Sequence, residues 1–83
     1  MKILVTGGAG YIGSHTCLAL LKAGHDVVIF DNFSNSSSIS VERIQHLSGR
    51  SAVLVEGDIC DPMELRNLFE KNKKIDGVIH FAA

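Results

Sequence analysis

"VTGGAGYIGSH", residues 5–15, decides how the rest of this chain is read. Gly7, Gly10 and Gly13 recur every third residue directly behind the apolar run Ile3-Leu4-Val5. A β-branched run, then bare backbone, then helical periodicity describes a strand handing over to a helix through a tight turn. The expected helix spans Tyr11 to Ala23, with Ile12, Thr16, Ala19, Leu20 and Ala23 on its apolar face and Ser14, His15 and Lys22 opposite. Leu18, among the polar positions, reads as a stray exposed apolar residue. Gly24 suits the position just past the helix end.

Three more apolar runs follow: Val27-Val28-Ile29-Phe30, Val53-Leu54-Val55 and Val78-Ile79. None alternates cleanly with polar residues, which favours strands covered on both faces, as in a parallel sheet. Between them lie two further helical patterns. One runs from about Ser40 to Ser48, with Val41, Ile44 and Leu47 recurring every third residue and Gly49 behind them. The other starts at Asp61-Pro62, a cap followed by a residue suited to the first helical position. Glu64 extends this to a capping-box pattern, and Leu65, Leu68 and Phe69 supply the apolar face. The order β-α-β-α-β-α-β implies an α/β protein with right-handed crossovers. The expected strand order is 3-2-1-4, an incomplete doubly wound, Rossmann-type sheet occupying residues 1–83.

The totals agree with a small globular unit. The chain has 83 residues, 46% of them hydrophobic and 20% charged, with a formal net charge of -1. That composition is too apolar for a disordered chain. No basic block points to nucleic acid, because Lys71, Lys73 and Lys74 follow a helix end where cations favour the dipole. No apolar stretch approaches the roughly 20 residues of a membrane span. Cys17 and Cys60 suggest neither a disulfide framework nor a zinc site, so the cytoplasm is the expected compartment. His15, His25, His46 and His80 do not cluster, and no metal site is expected. His80 reads as a strand-end packing residue, and Cys60 as a small filler near a helix start.

A glycine loop between a strand and a helix N-terminus is suited to phosphate, because the first-turn N–H groups lack intrahelical partners. Gly7 permits the tight turn, Gly10 the close approach of a pyrophosphate, and Gly13 close packing of helix on strand. The spacing is Gly-x-x-Gly-x-x-Gly, which is weak evidence by itself. Asp31 strengthens it. It directly follows the second apolar run, 24 positions beyond Gly7, near the ~20 expected of an acid that binds an adenosine ribose. A carboxylate there repels a 2′-phosphate, and no Arg or Lys lies between Asp31 and Val41, so NAD is favoured over NADP. Asp58 ends the third strand region on the same rim. It suits either an adenine amino group or a turn before Asp61. Phe81, Ala82 and Ala83 close the fourth, where small residues let a cofactor pass close to backbone.

With "TGGAGYIGSH", "DNFSNSS", "EGDI" and "HFAA" in this order and spacing, the chain resembles the UDP-glucose 4-epimerase (UDP-galactose 4-epimerase) family of the extended short-chain dehydrogenase/reductase superfamily. The glycine loop specifies only the superfamily, and "DNFSNSS" is the more telling segment. The resemblance implies that Tyr11 and Ile12 lie over the pyrophosphate and that Asp31 and Asn32 hold the ribose. It implies that Phe33, Ser34, Asn35 and Ser36 wrap the adenosine, Asp58 and Ile59 flank the adenine, and Phe81 to Ala83 lead toward the nicotinamide. Phe33 replaces the family's common Leu, and Ala83 a common Gly. The implied chemistry is oxidation of C4 of a UDP-hexose and return of hydride to the opposite face. A Tyr-x-x-x-Lys pair with a Ser or Thr does the acid–base work. That pair is missing: the only tyrosine is Tyr11, and His15 stands four residues on. The chain is therefore expected to be the cofactor-binding part of such an enzyme, inactive alone, with the remaining strands and the sugar-nucleotide domain absent. The family is often dimeric. A sister nucleotide-sugar dehydratase or decarboxylase, or a non-catalytic NAD-binding remnant, stay open as alternatives.

Overall fold

The computed structural model describes residues 1–7, 9–32 and 38–81. Seven elements alternate along the chain: β1 (Lys2–Thr6), α1 (Tyr11–Lys22), β2 (Asp26–Asp31), α2 (Ser38–Ser48), β3 (Val53–Glu56), α3 (Pro62–Lys71) and β4 (Gly77–His80). The strands form one parallel sheet in the order β3-β2-β1-β4. This is the expected Rossmann-type arrangement.

The order decides which face each helix covers. The first two crossovers step outward from β1 to β3, so α1 and α2 share a face and pack on each other. The third crossover returns past β2 and β1 to β4, and right-handedness then sends α3 to the opposite face. Two cores result. Ile3, Val5, Val27 and Ile29 meet Cys17 and Leu21 of α1 and Val41 and Ile44 of α2. Leu4, Val28 and Phe30 meet Leu68 of α3, with Leu65, Ile59 and Ile75 packed around them. Strand alternation sorts these sets, and burial of such side chains contributes roughly 1.5–3 kcal/mol each.

The phase of α1 differs from the sequence expectation. Its buried stripe is Gly13, Cys17 and Leu21, spaced by four. Ile12 is 65% exposed, and Ala19 and Ala23 are also exposed. Leu18 is partly buried against the core rather than stray. The helix lies close on the sheet, which favours small residues at the contact, and hydropathy gives those little weight. Leu47 of α2 is 56% exposed and Phe69 of α3 is 45% exposed, so neither joins the apolar face expected of it. Full coverage holds for the central strands β1 and β2 only. Val53 and Leu54 on β3 and Val78 on β4 are exposed, because these strands bound the sheet.

Helix ends follow local chemistry. Gly24 has φ 93°, its N–H reaches Leu21 O at 3.1 Å, and His25 N–H reaches Leu20 O at 3.1 Å. This is a Schellman closure. Arg50 adds a bond from Nη1 to Leu21 O at 3.1 Å and an ion pair with Asp26 at 3.2 Å. At α3, Asp61 accepts the Met63 N–H at 2.9 Å, as a cap should. Glu64 does not complete the reciprocal box. The Asp61 N–H is already held by Asp58 O at 3.0 Å, and Glu64 accepts from Asp58 N–H instead.

Candidate functional site

The carboxyl ends of all four strands lie on one rim, and three of the loops there begin one rung beyond the assigned strands. Gly7 N–H donates to Phe30 O at 2.8 Å, Gly57 N–H to Asp31 O at 3.1 Å, and Phe81 N–H to Thr6 O at 2.8 Å. The strand order reverses between β1 and β4, and open α/β sheets bind ligands at such a crevice.

Gly7 has φ 73°, a left-handed conformation that bends the chain out of β1. Gly10 N–H then closes on Gly7 O at 3.2 Å. Gly10 is the N-cap of α1, extended and without a side-chain cap bond, and Ser14 N–H donates to Gly10 O at 2.8 Å. The first turn of α1, at Tyr11, Ile12 and Gly13, therefore presents its N–H groups at the rim behind an N-cap that makes no side-chain bond. A Cβ on Gly10 would approach Gly7 O to 3.4 Å, so the loop is tight as well as bare.

Asp31 ends β2 partly buried beside this loop, and its Oδ2 accepts the Ala9 N–H at 3.1 Å. Asn32 follows, exposed. The structure thus brings Gly7, Gly10, Gly13 and Asp31 together. At the β3 end, Asp58 Oδ1 accepts the Cys60 N–H at 2.9 Å, so Asp58 fills the turn role. Its backbone N–H is held by Glu64, and Ile59 is half-buried against Leu4, Phe30 and Leu68. Cys60 is exposed rather than a filler. Phe81 is 39% exposed at the end of β4. Phe33, Ser34, Asn35, Ser36, Ala82 and Ala83 lie outside the described residues.

Four contributors escaped sequence reasoning. Ala9 acts through its backbone, which carries no side-chain signal. Thr6 is buried, and its Oγ1 lies 2.6 Å from His80 Nδ1 across the crevice. His80 is thus hydrogen-bonded rather than merely packed. Gly57 and Glu64 hold the Asp58 turn, and only the three-residue spacing from Asp61 hinted at Glu64. A cavity of about 180 Å³ lies under α3, lined by Phe30, Val55, Leu68 and Asn72 among others, and Glu64 stands on its wall as well as beneath the Asp58 turn. Among the described residues, no group of three or more His, Cys, Asp or Glu is placed to hold a metal, and no helix is long and apolar enough to cross a membrane.

Sheet order, glycine turn and strand-end acid together define a Rossmann-type α/β protein. The chain belongs to the family described as GDP-mannose 4,6 dehydratase, whose model matches residues 4–83. Among curated relatives it is 56% identical over 82 residues to the UDP-glucose 4-epimerase of Erwinia amylovora, a match covering 99% of this chain and 24% of that protein. Among solved structures it is similar to the UDP-glucose 4-epimerase of Bifidobacterium longum in complex with NAD+ and UDP. There the TM-score is 0.96 at 42% identity, over 100% of this chain and 24% of the other. The Stenotrophomonas maltophila enzyme, with bound NAD and formylated UDP-arabinopyranose, gives a TM-score of 0.93 at 49% identity, with the same two coverages. The chain spans about a quarter of the length of these relatives.

Proposed function

We propose that this chain is the NAD-binding part of a UDP-glucose/UDP-galactose 4-epimerase, acting in galactose metabolism in the cytoplasm. The observation that carries the reading is Asp31 set against the glycine loop at the switch point, with its Oδ2 on Ala9 N–H. The donor set fits a dinucleotide. The α1 N-terminus faces the diphosphate, and its missing side-chain cap leaves the place for it. Asp31 accepts from the ribose hydroxyls and disfavours a 2′-phosphate. Asn32 joins Asp31 at the ribose, Asp58 and Ile59 flank the adenine, and Phe33 to Ser36 wrap the adenosine. Phe81 to Ala83 lead toward the nicotinamide.

NAD, when bound, supplies the hydride acceptor and donor for inversion at C4 of the sugar. The residues of this chain bind and orient it, and none of them moves the substrate proton. The pair that does so in the family, Tyr-x-x-x-Lys, does not occur in these residues. We therefore expect the chain alone to bind NAD weakly and to leave UDP-galactose unchanged. Dimerisation belongs to the complete enzyme.

Calorimetric titration with NAD and NADP tests the binding. Saturable NAD binding with NADP weaker supports it; NADP binding as tightly overturns the role of Asp31. The reading frame downstream of the Ala83 codon tests the enzyme. A Tyr-x-x-x-Lys in frame supports the catalytic reading, and an immediate stop codon overturns it. The dehydratase description of the matching family favours one second reading, a sister dehydratase of nucleotide sugars. Product analysis of the full reading frame with UDP-glucose separates the two.

A further inference from the structure

We infer that Asp31 is a positioning residue for the diphosphate cradle, setting the shape of the glycine loop independently of any contact with the ribose. The inference rests on the dinucleotide reading above and adds a second task to the same side chain.

Among the described residues of the loop, two N–H groups are spent internally. Gly10 N–H closes on Gly7 O at 3.2 Å, and Ala9 N–H points back to Asp31 Oδ2 at 3.1 Å. Ala9 is 1% exposed, so water does not replace that acceptor without the loop opening. Gly7, at φ 73°, is the pivot about which such an opening occurs at little steric cost. The Asp31 backbone is itself fixed, since its carbonyl takes the Gly57 N–H at 3.1 Å. The acceptor for Ala9 is therefore held by the sheet, and the loop is held by the acceptor. With Ala9 and Gly10 turned inward, the first-turn N–H groups of α1 are the outward donors among the described residues.

Charge and hydrogen bonding separate cleanly at this position. A carboxylate beneath a diphosphate repels it, whereas the Ala9 bond orients the groups that attract it. Asp31→Asn keeps an acceptor oxygen and removes the charge, and Asp31→Ala removes both. A ligand without a ribose then isolates the positioning role. Inorganic pyrophosphate is the probe, followed by amide chemical shifts of Gly7 to Gly13 in the 83-residue chain. Pyrophosphate should bind Asp31→Asn at least as tightly as the unsubstituted chain. It should bind Asp31→Ala about fivefold more weakly than Asp31→Asn, the ratio expected of one hydrogen bond. Equal affinity of the two variants for pyrophosphate, with NAD binding intact in the unsubstituted chain, would overturn the inference and leave Asp31 a ribose contact only. No NAD binding by the unsubstituted chain would overturn the functional reading and this inference with it. A second measurement needs no variant. In the unsubstituted chain the Ala9 amide, buried and bonded to Asp31, should exchange with solvent hydrogen much more slowly than the Ile12 amide; equal exchange of the two sinks the inference even if both variants fail to fold.

Discussion

Thr6 Oγ1 lies 2.6 Å from His80 Nδ1, joining β1 to β4 by side chains at the point where the strand order reverses. The two residues are register partners, and the backbone bond from Phe81 N–H to Thr6 O continues the same connection outward. Thr6 is buried and His80 exposed, so the two ends of the bond are not equivalent. Removing His80 strands a buried hydroxyl. Removing the hydroxyl leaves an imidazole that water can serve. His80→Ala should therefore cost about 1–3 kcal/mol and Thr6→Val at most about 1 kcal/mol. Thermal melts followed by circular dichroism should place His80→Ala lower, at about 4–8 °C per kcal/mol for a domain of this size. The reverse order would show that the hydroxyl has another partner.

At Gly57 one added carbon meets a core ring and a carboxylate at once. A Cβ there would fall 2.5 Å from Phe30 Cε2 and 2.6 Å from Glu64 Oε2. The ring is fixed in the core under α3, so Glu64 must leave the Asp58 N–H. Gly57→Ala should destabilise by about 1–3 kcal/mol in urea unfolding. Gly10→Ala, whose Cβ meets Gly7 O at 3.4 Å, should change stability little and NAD affinity more. Equal urea midpoints for the two variants would contradict this account.

Burial pushes the Cys17 thiol up from 9.0 to about 12. The folded chain then keeps a proton that the unfolded chain releases, so the stability this group contributes is complete below about pH 9. It is lost as pH rises from there toward 12, at up to about 1.4 kcal/mol per pH unit. Cys17→Ala should flatten that slope relative to the parent in urea midpoints taken at successive pH values. At neutral pH a thiol reagent should label exposed Cys60 rapidly and Cys17 only on unfolding.

Lys74 has φ 65°, the one non-glycine residue with positive φ among the described residues. A side chain there crowds the following carbonyl, which Gly avoids. Lys74→Gly should raise stability by about 0.5–1 kcal/mol, net of the entropy that Gly adds to the unfolded chain. An unchanged or lower midpoint would mean that Lys74 makes compensating contacts.

Strands, their order and the acid on the rim were legible because each leaves a mark in side-chain type. Val27 to Phe30 is a run that only a doubly covered strand needs, and Asp31 interrupts it at the rim. The phase of α1 was not legible. Nearly every turn of "YIGSHTCLALLK" offers an apolar residue, so hydropathy does not single out the stripe, and the buried Gly13 carries no hydropathy of note. Glu64 was misassigned for a related reason. Its spacing from Asp61 matches a capping box, but Asp58 O had already taken the N–H that the box needs. The Asp31 bond to Ala9 was invisible because the partner is backbone.

The strand order has a consequence for the shape of what it holds. From one side of the rim to the other stand Asp58 after β3, Asp31 on β2, the Gly7 turn after β1 and Phe81 after β4. Under the proposed function these meet adenine, ribose, diphosphate and the nicotinamide half, which is also their order along the dinucleotide. Neighbouring strands lie about 4.8 Å apart, so the four stations span about 14 Å. The sheet is thus a ruler laid beneath an extended molecule, graduated by the hydrogen-bond repeat of its own backbone. Side chains choose what is read at each mark, while the intervals between marks are common to any parallel sheet wound in this order.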